Sequence, residues 1–223
     1  MTHTLHRKGR RESLEKDYVF LAMAARGFNT TQAEPKLKEI FRIFARHKPV
    51  NMGDMFVEGG HPQCTARGAS PEQIIKMASA KSIAHAVYID KETVKKVLKD
   101  LKEADLGISI VLSGIFDETL RACKNISIDG PFTADLSLGV VGKTEYLPED
   151  QILEILTMCG HSMVSKQLIG NEIEKVRNGE KTPTHAAKEL ARQCVCGVFN
   201  PIRAASLIQA ISARAKCKSN KEK

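Results

Sequence analysis

The middle of the chain alternates apolar runs with amphipathic stretches, and this alternation constrains the fold more than any other feature. It predicts strands over 83–89, 108–112 and 133–141, with helices over 91–104 and 116–124 between them. Strands and helices that alternate through short connections favour parallel pairing by right-handed crossovers. We therefore expect an α/β fold with a small, mostly parallel sheet of about three to four strands, flanked by helices.

Helix signals lie on both sides of this alternation. A helix is expected over 13–27, between an N-cap serine and a terminating glycine, and a second over 35–49. After Pro148 every periodic stretch is helical, over 149–158, 165–178, 184–192 and from 201 onward. The fold is therefore expected to end in an all-helical C-terminal part.

These elements divide the chain into four predicted parts. Residues 13–148 form an α/β domain with N-terminal helices, and residues 149–215 form a helical C-terminal region packed on it. The flanking segments, 1–12 and 216–223, are expected to be basic tails because charged ends are usually solvated.

The basic charge lies mainly at the two ends of the chain. The formal net charge is +8; residues 1–16 hold five basic and two acidic side chains, and residues 213–223 hold five basic and one acidic. A nucleic-acid-binding domain more often concentrates its charge on a folded face, so this distribution argues against a nucleic-acid partner. We expect a partner protein or a small-molecule ligand instead, and the oligomeric state is left open.

The chain shows no membrane or export signal. No apolar run approaches the ~20 residues that a membrane-spanning helix needs, and the first residues lack the apolar stretch of a secretory signal. We therefore expect a cytoplasmic protein without a membrane partner. In that compartment the six cysteines indicate metal binding, thiol chemistry or simple burial rather than a disulfide framework.

Three cysteines lie in predicted turns of the C-terminal part. Cys159 ends a predicted helix at a glycine turn. Cys194 and Cys196 are two residues apart, so in an extended stretch both sulfurs point the same way. The helix from residue 201 directs its positive end back at this loop, which favours thiolates. We expect these three residues to be metal ligands.

A second group of candidate ligands completes the set. Cys64 is the expected fourth ligand, and His61 and His161 are substitutes. Four cysteine ligands match the usual count of an iron–sulfur cluster, whereas imidazole nitrogens are more typical of zinc. The sequence does not show whether the Gly- and Pro-rich loop of His61 and Cys64 meets the C-terminal cysteines.

The favoured function is a cysteine-ligated metal or iron–sulfur protein with a redox or cofactor-assembly role. Two alternatives stay open: a reversible dithiol, and a non-catalytic small-ligand-binding or scaffold protein with structural cysteines, because free cysteine often packs as a small hydrophobe. No motif identifies a reaction, so the chain is not assigned as an enzyme. Residues 142–144 resemble the end of a phosphate-binding loop, but Ser137 stands where that motif needs glycine, which excludes a P-loop triphosphatase.

Overall fold

Five strands form one antiparallel sheet at the centre of the fold. The computed structural model describes residues 7–136, 139 and 141–219, and the side chains of 214–219 are left aside. The strands are β1 (Tyr18–Met23), β2 (Asn51–Asp54), β3 (Gln63–Cys64), β4 (Ile83–Tyr88) and β5 (Ile110–Ser113). They are ordered β3-β2-β4-β1-β5, and each neighbouring pair is antiparallel.

The described residues also form nine α-helices. These are α1 (Arg11–Leu14), α2 (Ala33–Arg46), α3 (Pro71–Met77), α4 (Lys91–Ala104), α5 (Phe116–Asn125), α6 (Asp150–Leu156), α7 (Lys166–Arg177), α8 (Pro183–Gln193) and α9 (Pro201–Ser219). No helix within the described residues is long and apolar enough to cross a membrane.

The predicted mostly parallel sheet of three to four strands is wrong. The crossover from β4 through α4 to β5 does make these two strands run in the same direction, as expected. However, β1 lies between them and is antiparallel to both, so they never pair. The strands β1 and β2 are separated by β4 in the same way. Each crossover is thus a split βαβ unit, and the interleaved strands make the sheet antiparallel.

The predicted helix over 13–27 is wrong because β1 (Tyr18–Met23) occupies its middle. Tyr18 and Phe20 belong to one hydrophobic core, and Val19 belongs to the other. A strand that is buried on both faces reads as a continuous apolar run without alternation. The sequence pattern therefore could not separate this strand from a helix.

The predicted third strand over 133–141 is also wrong for the residues that the structure describes. Residues 133–136 are irregular and exposed, and Leu136 keeps 61% of its surface accessible. Residues 137, 138 and 140 of this stretch lie outside the described residues. Without a buried face, this stretch has no partner strand against which to pack.

The sheet lies between two helical layers. Helices α2, α3 and α4 pack on one face around residues such as Phe20, Phe41 and Val97. The C-terminal helices α6 to α9 cover the other face around Val19, Val87 and several cysteines. Residues on this second face form a row across the sheet, with Cys64 beside Gly53, Gly53 beside His85, and His85 beside Leu21.

The described part of the predicted N-terminal tail is tied into this second layer. Residues 1–6 lie outside the described residues, but Arg7 is part-buried and donates to Asp17 at 3.0 Å. Arg203, on the first turn of α9, donates to the same carboxylate at 2.8 Å and is almost fully buried. The segment before β1 is therefore anchored to the start of the last helix.

Candidate functional site

Four cysteines from three separate segments meet between the sheet and the C-terminal helices. Cys64 ends β3, Cys159 follows α6, and Cys194 and Cys196 lie in the connection from α8 to α9. All four are free thiols and each is at most 2% exposed. We call these four residues the thiol cluster.

Two glycines allow the connection from α8 to α9 to approach the sheet. A β-carbon on Gly53 would lie 2.6 Å from the carbonyl oxygen of Cys196 and 2.8 Å from the Cβ atom of Cys64. A β-carbon on Gly197 would lie 2.7 Å from the backbone nitrogen of Gly53. Gly197 also has a φ of 81°, which favours glycine. The close approach of these backbones brings Cys64 next to the C-x-C segment.

The sulfurs contact one another through thiol hydrogen bonds. The Sγ atoms of Cys194 and Cys196 are 3.6 Å apart. The Cys64 thiol donates to the carbonyl oxygen of Cys194 over 3.7 Å. The side chains of Cys159 and Cys194 also share a hydrogen bond. Cys194 is therefore the member of the cluster that contacts all three others.

Of the two predicted histidine substitutes, one contacts the cluster. The Nδ1 atom of His161 is 3.7 Å from the Sγ atom of Cys196, at the exposed side of the site. His61 is exposed in the loop before β3 and makes no hydrogen bond to a cysteine within the described part of the chain. The structure thus brings together Cys64, Cys159, Cys194, Cys196 and His161, but not His61.

Hydrogen bonds and burial give the four thiols different pKa values. The hydrogen bond with Cys194 and, to a smaller extent, burial raise the pKa of Cys159. The hydrogen bond with Cys159 lowers the pKa of Cys194. The hydrogen bond with Cys196 and burial outweigh this effect and raise the pKa of Cys194 to about 12. The hydrogen bond with Cys194 lowers the pKa of Cys196 despite burial. Burial raises the pKa of Cys64. Cys196 is therefore the most readily ionised thiol of the cluster.

Backbone N–H groups lower the pKa of every thiol of the cluster. The amides of Arg67 and Ala66 favour the thiolate of Cys64, and those of Met163 and His161 favour the thiolate of Cys159. A further amide does the same for each remaining sulfur, from Phe199 for Cys194 and from Val198 for Cys196. Amides that donate to sulfur stabilise its negative charge.

The arginines nearest to the C-x-C segment in sequence, Arg192 and Arg203, pair with carboxylates. Arg203 pairs with Asp17, and its Nε atom donates to Ser13. Arg192 is exposed and pairs with Glu189 at 3.3 Å. Arg67 is the cation whose charge lowers the pKa of a cluster thiol, that of Cys64.

Two further buried polar residues, Asn51 and His85, lie near the cluster. Asn51 donates to the carbonyl oxygen of Phe199 at 3.0 Å and accepts from Thr65 at 3.0 Å, so it joins β2 to both cysteine-bearing loops. His85 is fully buried beside Gly53, on the sheet face that the cluster covers. Asn51 stands shortly before Gly53, and a polar residue at that position was the sequence signal that could have identified it.

The cluster does not form a metal site in its present arrangement. Within the described residues, no group of three or more His, Cys, Asp or Glu side chains is placed so that it could hold a metal ion. No protein-family model, curated protein or solved structure matches the chain. The function must therefore be inferred from the chemistry of the site itself.

Proposed function

We propose that the thiol cluster binds a metal ion or an iron–sulfur cluster and gives the protein a redox or cofactor-assembly role. The observation that carries this proposal is the meeting of four buried thiols from three chain segments. Isolated buried cysteines would be expected to scatter through a core, whereas four cysteine ligands are the usual set for zinc or an iron–sulfur cluster.

The spacing of the C-x-C sulfurs supports the proposal. Two thiolates bound to one zinc ion at about 2.3 Å in tetrahedral geometry are about 3.8 Å apart. The Cys194 and Cys196 sulfurs are 3.6 Å apart. Because no complete metal-holding group exists among the described residues, binding requires the other thiols to exchange their present hydrogen bonds for metal coordination.

The electrostatic environment supports a cationic occupant. Burial raises the pKa of Cys64 and contributes to the raised pKa of Cys159, so these thiols are protonated at neutral pH. Backbone amides nevertheless act to lower the pKa of each thiol. A bound metal would supply the positive charge that deprotonates the thiols, and the amides would then stabilise the thiolates.

The test is the metal content of protein purified without oxygen. We expect near-stoichiometric iron or zinc by mass spectrometry, with visible absorption if the metal is an iron–sulfur cluster. The double variant Cys194→Ser/Cys196→Ser should lose this metal. Cys123→Ser is the matched control, because Cys123 lies half-buried on α5 in the opposite core and should leave metal binding unchanged. A wild-type protein that stays metal-free after addition of zinc, or of ferrous iron with sulfide, would contradict the proposal.

A second candidate is a non-catalytic small-ligand-binding or scaffold protein with structural cysteines. The lack of a ready metal-holding group among the described residues and the raised pKa of Cys64 and Cys159 favour it. In that case the double serine variant should lose stability but keep its ligand or partner protein. A metal protein should lose its metal and its activity together.

The cellular setting is part of the same proposal. A cytoplasmic location fits because a reducing compartment keeps such thiols available for a metal. Fractionation of cells that make the tagged protein checks this location, and recovery of the protein outside the cytoplasm would overturn it.

A further inference from the structure

We propose that an open groove beside the thiol cluster binds a small molecule that carries a phosphate group. The groove has a volume of about 720 Å³ and runs between the turn after β3 and the last turns of α8. Ligand sites commonly have volumes of ~300–1,000 Å³. The groove is thus large enough for a nucleotide-sized phosphate ester.

The charge of the groove favours an anion. Lys48, Arg67, Lys188 and Arg192 line it, and Glu189 is the carboxylate in the lining. Glu189 pairs with Arg192 at 3.3 Å. No carboxylate of the described residues forms an ion pair with any of the other three cations. Several unpaired cations around one concave surface attract a phosphate and donate charge-assisted hydrogen bonds to it.

One wall of the groove is held rigidly by the buried amide of Asn51. The Oδ1 atom of Asn51 accepts from Thr65 at 3.0 Å and from the backbone of Ala66 at 3.2 Å. Thr65 also accepts from the backbone of Met52 at 3.0 Å. A wall fixed in this way before binding reduces the ordering cost that a ligand would otherwise pay.

The apolar part of the lining indicates more than a free phosphate ion. Pro49, Val50, Ala66, Pro71 and Pro201 contribute apolar surface to the groove. An inorganic phosphate would leave this surface unused, whereas the organic body of a phosphate ester would cover it. The combination of cations and apolar walls therefore favours a phosphorylated organic molecule.

The groove and the thiol cluster share two segments of the chain. The turn Thr65–Arg67 directly follows Cys64, and the lining residue Arg192 lies two positions before Cys194. A ligand in the groove would therefore contact the outer side of the loops that carry the cluster. This inference goes beyond the proposed metal site and does not depend on it, because the cations are present with or without a metal.

The test uses ADP as the phosphate-bearing probe and adenosine as its uncharged counterpart, with binding measured by titration calorimetry. The variant Arg67→Gln/Lys188→Gln removes two groove cations. The control variant Arg26→Gln/Lys96→Gln removes two exposed cations outside the groove lining and changes the net charge equally. Metal content is measured on every sample, so that loss of the metal and loss of ADP binding are separated.

We expect ADP to bind and adenosine to bind far more weakly. The groove variant should weaken ADP binding by roughly tenfold or more, since each charge-assisted hydrogen bond has an energy near that of a tenfold change. The control variant should stay within about twofold of wild type, as expected for screened surface charge. No ADP binding at low ionic strength, equal binding of adenosine, or equal weakening in both variants would each overturn the inference.

Discussion

Replacement of Gly197 by alanine tests whether the close contact between the C-x-C segment and β2 holds the thiol cluster together. Gly197 has a φ of 81°, and an added β-carbon would lie 2.7 Å from the backbone nitrogen of Gly53 and 2.8 Å from the carbonyl carbon of Met52. Both contacts are with backbone atoms of a strand inside the sheet, so the neighbours cannot rotate away.

Two costs add in this variant. A left-handed backbone costs an alanine about 1–2 kcal/mol. Forcing a methyl group into a filled space typically costs about 1–3 kcal/mol more. Gly197→Ala should therefore lower the free energy of unfolding by about 2–5 kcal/mol.

Gly179→Ala is the matched control. Gly179 has a φ of 77°, but an added β-carbon there would meet no atom within 4 Å. This variant should show the backbone cost alone, about 1–2 kcal/mol.

Urea unfolding of both variants gives the stability difference, and alkylation of Cys194 and Cys196 in native protein reports on the cluster. Gly197→Ala should expose these thiols to alkylation, and Gly179→Ala should not. Equal losses of stability in the two variants, or unchanged protection of the thiols in Gly197→Ala, would refute this account of how the cluster is assembled.

Three further predictions follow from the buried groups. Asp17→Ala leaves the buried Arg203 without its carboxylate and should cost about 3–5 kcal/mol in urea unfolding, far more than Asp117→Ala on the exposed start of α5; equal losses would contradict this. Burial raises the pKa of Asp54 despite hydrogen bonds from the amides of Ile83 and Phe56, so the folded pKa lies above the ordinary value. Wild type should therefore lose stability relative to Asp54→Asn as pH rises above about 4, measured by urea unfolding across pH, and a constant difference would count against it. In metal-free protein, iodoacetamide should modify half-buried Cys123 before the cluster thiols and, within the cluster, Cys196 before Cys64, because the hydrogen bond with Cys194 lowers the pKa of Cys196; peptide mass spectrometry checks the order, and earlier modification of Cys64 would disprove it.

Local capping chemistry made several elements predictable. The serine, proline and glutamate at residues 70–72 are typical of a helix start, and α3 does begin there, with reciprocal hydrogen bonds between Ser70 and Gln73. The apolar run of β4 and the amphipathic spacing of α4 are local signals too, and both elements were predicted correctly. Signals of this kind lie within a few residues and do not depend on the rest of the fold.

The sheet order could not be predicted because it depends on one strand without a local signature. β1 is buried on both faces, so Tyr18, Val19 and Phe20 show no alternation. Ser13, Glu15 and Lys16 before it resemble the start of a helix, and a short helix does form at Arg11–Leu14. If β1 is predicted as a helix, no strand lies between β4 and β5, and the alternation of strands and helices then favours parallel pairing.

The candidate site was predictable in its residue types but not in its assembly. Glycines beside Cys159 and Cys196 marked turns in which sulfurs can converge, and these sequence signals are local. The position of Cys64 depends on β3 pairing with β2 at Gly53, and β2 was predicted to be part of a loop. The contact of Gly53 with Gly197 joins residues far apart in the chain, and no spacing within either segment reveals it.

The charge around the cluster follows from the same long-range order. Arg203 lies close to Cys196 in sequence, yet it forms its ion pair with Asp17, the residue before β1. Because Arg203 is paired with Asp17, the cation among the described residues that lowers the pKa of a cluster thiol is the exposed Arg67 beside Cys64. The cluster therefore combines many amide donors with little cationic charge. In the free protein, protonation keeps the thiols neutral, and in metal-loaded protein the metal ion would compensate the charge of the thiolates. Acidification should therefore release any metal that the cluster binds.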